Sequence, residues 1–328
     1  MSRQNPTVII ALGGNAISPK NESGDIEKQF EHTRESLNAM MHFVKERYNI
    51  CITHGNGPQV GAELLKNEIT KDTIPSLPLG VLVANTQGAI GYMIQQTLQN
   101  ALQKKDVDRE VVTFISQMKV DPNDPMLTEP SKYIGRTYSN QELESLKSLD
   151  WTIKEQEPNQ WRRVVPSPKP LYIFNGKSIK HLVDFGTIVI AGGGGGIPAF
   201  NKKNGSLHGL DGVVDKDMTA ALLGRIIKAK EFFIITDVEN IYLNFKTNSQ
   251  KIIHTADASD IKNWLDEGHF FRGTMEPKIR SALYFLKHHG EKVVITSIDK
   301  IEMALKGKTG THIFKNTNLK EQFLNENS

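Results

Sequence analysis

Residues 187–198 read Thr-Ile-Val-Ile-Ala-Gly-Gly-Gly-Gly-Gly-Ile-Pro. The opening run is β-branched, apolar and too short for a helix, so it predicts a buried strand over 187–191. The glycines behind it make a turn in which no Cβ keeps the backbone away from a ligand. Open α/β sheets place their ligands in this position, beyond the carboxyl ends of the strands. The same unit occurs twice more. The strand over 7–12 runs into Gly13-Gly14-Asn15, and that over 50–53 runs into His54-Gly55-Asn56-Gly57, with Pro58 placed as a first helical residue. One such turn would be a mere connection. Three of them point to anions held by backbone N–H groups.

Outward from these turns the chain alternates strands with helical patterns. Ile26, Phe30, Leu37, Met40, Met41 and Val44 form one face of a helix over 25–47. A helix is expected over 87–104, a strand over 110–116, and a helix through about residue 228 after the acidic turn 211–217. Further strands are expected over 232–236 and 293–296, with helices over 259–266 and from Pro277. Gly307 suits a helix C-terminus, and the last dozen residues are polar and expected to fray. This rhythm predicts an α/β fold, a three-layer α/β/α sandwich with a mostly parallel central sheet. Residues 120–164 break it, being rich in Pro, Asn, Asp, Lys and Trp with only a short helix near 141–149. They read as a small protruding lid subdomain, ordered by packing of Tyr138, Trp151 and Trp161. A boundary near residue 210 divides the chain into halves 1–210, with the lid insertion, and 211–328.

Composition excludes several classes. At 328 residues, 38% hydrophobic and 23% charged, the chain is globular in character. Its 40 basic and 37 acidic residues leave a net charge of +3, without the basic excess of a nucleic-acid binder. One cysteine, Cys51, permits no intrachain disulfide and no cysteine cluster, which fits a reducing cytoplasm. No membrane-length apolar run and no secretory signal is present, so no membrane partner is expected. The ten histidines show no metal-ligand spacing, and no metal site is expected in the protein itself. The P-loop and dinucleotide glycine fingerprints are both missing, as is the G-x-S-x-G of a hydrolase nucleophile. The phosphate chemistry must use another scaffold.

Two charged clusters complete the reading. Asp215-Lys216-Asp217 stands where a helix begins. A lysine between carboxylates is held charged and suits a clamp on phosphate; the plainer alternative is an N-capping aspartate beside a solvated lysine. Gly273-Thr274-Met275-Glu276-Pro277-Lys278 leads into another helix with Lys278 in its first turn. A cation is unfavourable there unless an anion is nearby.

In this order, the segments resemble the amino acid kinase family and, within it, the carbamate kinase branch. The resemblance is carried by Ala11 to Ala16, His54 to Gly61, Thr86-Gln87-Gly88 with Gly91-Tyr92, Val120 to Pro125 and Arg162 to Pro168. It continues in the glycine run through Pro198, Asp215-Lys216-Asp217, Thr236-Asp237-Val238 and Met275 to Lys278. It spans about residues 7–314. Many members of the family carry a lysine just before the first Leu-Gly-Gly, where this chain has Ala11. In the carbamate kinase branch a lid lysine supplies that cation, and it maps to Lys132. Here Tyr133 follows where proline is usual, Arg272 stands where alanine is usual, and the approach to Arg162-Arg163 lacks glycines.

The resemblance implies reversible transfer of a phosphoryl group between ATP and carbamate, giving ADP and carbamoyl phosphate. It assigns Gly13, Gly14, Asn15, Gly55, Asn56, Gly57, Gly193, Gly194 and Gly195 to carbamate and the moving phosphoryl group. Lys216 and Lys132 would stabilise that group, and Asp217 would orient the lysines. Asp215, Thr236, Asp237, Tyr242, Met275 and Lys278 would serve the nucleotide, with Mg²⁺ held mainly by its phosphates. A homodimer making ATP in arginine catabolism is implied too. Ala11 and the lid argue against a family member acting on another carboxylate or a phosphonate. The intact set Lys216, Asp217, Lys132 and Lys278 argues against an inactive nucleotide-binding sensor.

Overall fold

Eight strands form the central sheet of the computed structural model, which describes residues 5–14, 17, 25–147, 149, 151–271 and 273–326. They are β1 (Thr7–Leu12), β2 (Asn49–His54), β3 (Val111–Thr113), β4 (Ile188–Ile190), β5 (Glu231–Thr236), β6 (Thr255–Asp257), β7 (Lys292–Ser297) and β8 (Thr311–Phe314). Their spatial order is β6-β8-β7-β5-β1-β2-β4-β3. Every neighbouring pair is parallel except β7–β8. Strands from residues 211–328 occupy one side of the sheet and strands from 1–210 the other, meeting where β1 pairs with β5.

The period-2 geometry of β1 sends alternate residues into two cores. Ile9 and Ala11 pack with Ile179, Val183, Leu223, Ile279 and Phe285. These come from α4 (Gly176–Phe185), α5 (Lys216–Ile227) and α7 (Met275–Lys287). Val8, Ile10 and Leu12 pack on the opposite face with Leu37 of α1 (Ile26–Asn38) and with Ile90, Ile94 and Leu98 of α3 (Leu79–Lys104). Both faces are covered, so the central strands are continuously apolar, as parallel strands must be. Each large aliphatic side chain buried here stabilises by about 1.5–3 kcal/mol relative to exposure. The α/β class and the mostly parallel sheet with helices on both faces are as the sequence predicts.

Several elements depart from expectation. The helix over 25–47 is interrupted at Ala39–Met40, α1 giving way to a short helix, Met41–Lys45. Helix α3 begins at Leu79, eight residues before the expected start, capped by Pro78. Its glycines disguise it, yet a Cβ on Gly91 would lie 2.3 Å from Thr113 Cγ2, so close packing on β3 demands glycine there. The strand expected over 110–116 ends at Thr113, and Ser116 turns aside to pair with Gln87 through both its peptide groups (2.6 and 3.3 Å). The C-terminal segment forms a helix, Thr317–Glu326, instead of fraying. Lys320 ties it to Asp257 and Asp260, at the start of α6 (Ala258–Asp266), and Phe323 stacks on His312 at 4.7 Å.

The lid residues form a separate antiparallel sheet of Lys132–Ser139, Gln160–Val165 and Ile153–Glu157. Tyr138 is buried against Trp151, and Arg163 lies over the Trp151 ring at 4.6 Å. Among the described residues no helix is long and apolar enough to cross a membrane.

Candidate active site

Because β1, β2 and β4 are neighbours, the three glycine turns at their carboxyl ends lie side by side. Gly13 N–H donates to the Ile235 carbonyl (2.8 Å) and Gly55 N–H to that of Leu12 (2.9 Å). A Cβ on Gly55 would stand 2.7 Å from the Gly14 nitrogen. One on Gly193 would stand 2.3 Å from His54 Nε2, on Gly194 2.2 Å from Asn56 Nδ2, and on Gly195 2.0 Å from the Val214 carbonyl oxygen. Gly194 and Gly195 also have φ of +63° and +88°, where a side chain is strained. Much of the glycine content is therefore required by turn packing on turn.

Gly57 is different. Among the described residues a Cβ there would meet nothing within 4 Å at the start of helix α2 (Gly57–Thr70). The N-cap residue Asn56 makes no capping bond and instead donates from Nδ2 to Thr86 Oγ1 (2.8 Å). The N–H groups of the first turn thus keep their donor capacity for an anion. Asn15, expected to join this cradle, lies outside the described residues.

Buried polar side chains that sequence reasoning left without a role hold the cradle in place. Thr53 donates to the Gly192 carbonyl and Thr219 to that of Gly195 (each 2.8 Å), while Gly192 N–H donates to Ser116 Oγ (2.9 Å). His54 is fully buried, with Nδ1 donating to its neighbour's carbonyl at Gly55 (3.0 Å). Burial, then the Lys216 charge, lower its pKa to about 4, so the ring is neutral at pH 7. The available signal was a Thr-His pair ending an otherwise apolar strand. The partners, Gly192 and Gly193, are remote in sequence.

The charged cluster borders this cradle through Gly195 and Val214, next to Asp215. Asp215 is the N-cap of α5 and accepts from the Asp217 and Met218 N–H groups. It also accepts from Lys132 Nζ of the lid at 2.7 Å. Asp217, 3% exposed, binds both Lys216 and Lys278, the latter at 3.2 Å. Asp215 is thus the N-cap the sequence suggested, whereas Lys216 is not solvated but mostly buried against Asp217. The anion that tolerates Lys278 in the first turn of α7 is a carboxylate of the protein itself.

Burial pushes the Asp215 carboxyl upward, but Lys132 and Lys278 outweigh it, and the group sits well below the usual carboxylate range. Asp217 is lowered in the same way by Lys216 and Lys278 against burial. Burial lowers Lys216, with Asp217 opposing, whereas Lys278 is raised because Asp217 and Asp215 overcome its burial. Thr236, the last residue of β5, bonds to Asp237 just beyond it (3.1 Å), and the Asp237 charge reaches Lys278. Tyr242 packs on Phe245 and Met275 on the apolar core; neither takes part in the ion pairs. Among the described residues no group of three or more His, Cys, Asp or Glu side chains is placed to hold a metal ion.

Neutral N–H donors on one side and three lysines on the other can cancel the charge spreading over a phosphoryl group in flight. Comparison with known proteins agrees. The amino acid kinase family matches residues 6–297. The carbamate kinase of Pyrococcus furiosus is 39% identical over 309 residues, covering 93% of this chain and 98% of the relative. A Giardia lamblia carbamate kinase structure bound to citric acid superposes with a TM-score of 0.89 at 37% identity, covering 94% and 98% of the two chains. The same enzyme bound to AMP-PNP gives 0.86 at 37% identity and the same coverage.

Proposed function

The chain belongs to the amino acid kinase family, and we propose that it is an ATP-dependent kinase that transfers a phosphoryl group reversibly between ATP and carbamate. The observation that carries this reading is an exchange of cations. Ala11 is fully buried in an apolar core and offers no charge at the end of β1, while Lys132 reaches in from the lid to Asp215 at 2.7 Å.

A carbamate oxygen attacks the γ-phosphorus of ATP, the bond to the β–γ bridging oxygen breaks, and ADP leaves with that oxygen's electron pair. The reverse step makes ATP from carbamoyl phosphate. The first turn of α2 and the glycines 13–14, 55–57 and 193–195 hold the acceptor and the moving phosphoryl group, a role the resemblance also gives to Asn15. Lys216 and Lys132 stabilise that group as charge spreads; Asp217 orients Lys216 and Lys278, but not Lys132 as expected, which is held by Asp215. Asp215, Thr236, Asp237, Tyr242, Met275 and Lys278 serve the nucleotide. The AMP-PNP bound to the Giardia relative supports a nucleotide site. The carboxylates of Asp215 and Asp217 are engaged by lysines, so Mg²⁺ enters as part of the nucleotide substrate, on its phosphates.

Acceptor handling falls to residues 1–210 and nucleotide handling to 211–328; the division of the sheet between β1 and β5 supports this. The resemblance supports a cytoplasmic homodimer working toward ATP in arginine catabolism, and the single, buried Cys51 suits a reducing compartment. The test is to supply carbamoyl phosphate and Mg·ADP and to measure ATP. ATP formation is expected. Phosphorylation of another acid instead would make the chain a different kinase of the family, and nucleotide binding without any turnover would make it a sensor.

A further inference from the structure

The lid is seated on the body by two glycines that the reaction itself does not use. Gly61 lies on α2, one turn beyond the N-terminus of that helix. A Cβ at Gly61 would fall 2.0 Å from Gly135 Cα and 2.6 Å from its nitrogen, both backbone atoms of the lid. Gly135 has φ of +72° and lies where the pairing between Lys132–Ser139 and Gln160–Val165 shifts register. Arg162, on the partner strand, donates from Nη2 to the Gly135 carbonyl (2.7 Å) and from Nη1 to Gln156 (3.2 Å). Only glycine fits on either side of this contact. On Gly61 the obstacle is distance, and on Gly135 it is backbone conformation.

The seat is rigid where it matters. Ile134 and Val165 of the lid share one apolar cluster with Val60 and Leu64 of α2 and with Val213. Ile134 is two residues after Lys132, and Val213 is two residues before Asp215. Lys132 itself pairs across the lid sheet with Val165. One cluster therefore fixes both backbones from which the Lys132–Asp215 ion pair is made.

We propose that the Gly61–Gly135 contact, gripped by Arg162, is the positioning element that sets Lys132 over the reacting phosphoryl group. The residues are positioning residues, acting through Lys132, and the proposal rests on the role given to that lysine above. A plain packing contact would stabilise the fold without regard to Lys132. A seat makes the lysine's contribution depend on Gly61.

The experiment is a double-mutant cycle between Gly61→Ala and Lys132→Ala, with ATP formation as readout. Lys132→Ala alone should lower kcat about 10²–10³-fold, as loss of a transition-state cation does. Gly61→Ala alone should lower kcat at least about tenfold with KM for ADP little changed, and adding Lys132→Ala to it should cost far less than in the native background. Trypsin should also cut Gly61→Ala faster at Lys147 and Lys154 of the lid. Independent, multiplicative losses or unchanged lid cleavage would overturn the proposal. If Gly61→Ala does not fold, Arg162→Met leaves the glycine contact unobstructed, and the same dependence on Lys132 is required of it. A native chain that makes no ATP would sink the proposed reaction, whereas the cleavage rates would still report on the seat.

Discussion

The glycine cradle and the lysine cluster lie side by side beyond the carboxyl ends of the central strands, and under the proposed reaction they would receive an anion in opposite ways. The cradle is neutral, built from backbone donors, and fixed by buried bonds from Thr53, Thr219 and Ser116. The cluster is charged, and each lysine already leans on a carboxylate of α5's first turn. Neutral dipoles can stand ready without a partner because they cost little when unoccupied. Buried cations cannot, since an isolated charge is far too costly to leave unpaired. The aspartates therefore hold the lysines in place, and in the proposed reaction an arriving phosphate would share their charge.

The largest test of that contrast removes the shared carboxylate. Asp217→Asn leaves Lys216 and Lys278 without their common partner at a site only 3% exposed. Breaking such a buried pair costs on the order of 3–5 kcal/mol. Urea denaturation at pH 7 should show a loss of this size, and saturating ADP should restore part of it, because phosphates then offer the missing charge. A loss below about 1 kcal/mol would mean that the lysines do not depend on Asp217.

Slightly smaller in free energy, and read in rate instead of stability, is the loss of one cation. Lys216→Ala should lower kcat about 10²–10³-fold, equivalent to about 3–4 kcal/mol. Its effect on stability should be smaller than that of Asp217→Asn, because Asp217 keeps Lys278. Turnover close to native in Lys216→Ala would remove Lys216 from the transition state.

The two regions were not equally legible in sequence. The cradle was readable as strand followed by glycine, because parallel strands are short apolar runs and glycine punctuates them. Its hidden half was not. Gly193 needs to be glycine because His54 lies beneath it, and only the pairing of β2 with β4 brings them together. The lysine cluster was legible as local order, an N-cap aspartate opening α5. That Lys132 and Lys278 would meet it required the lid and α7 to arrive from 83 and 61 residues away in sequence. The C-terminal helix went unread for a related reason. Its anchors, Lys320 on Asp257 and Phe323 on His312, are tertiary contacts that override a polar composition.

Acid separates the regions most finely, because it reaches the cradle before the cluster. His54 under the glycines has its pKa lowered to about 4, chiefly by burial, against about 6.5 in the unfolded chain. His312, away from the site, is lowered by burial to the same value. As pH falls below 6.5 the unfolded chain takes up protons that the fold refuses, so stability falls through the window from 6.5 down to about 4. Each histidine should account for about 2 kcal/mol of loss by pH 5. The carboxylates of Asp215 and Asp217, held below their usual range, keep their contribution across this window and lose it only at lower pH. Urea denaturation at pH 7 and pH 5 should therefore show a drop to which His54→Asn, which cannot titrate, contributes about 2 kcal/mol less. An unchanged pH dependence in His54→Asn would show that the ring beneath the glycines is not held neutral, and that the cradle is not the uncharged half of the site.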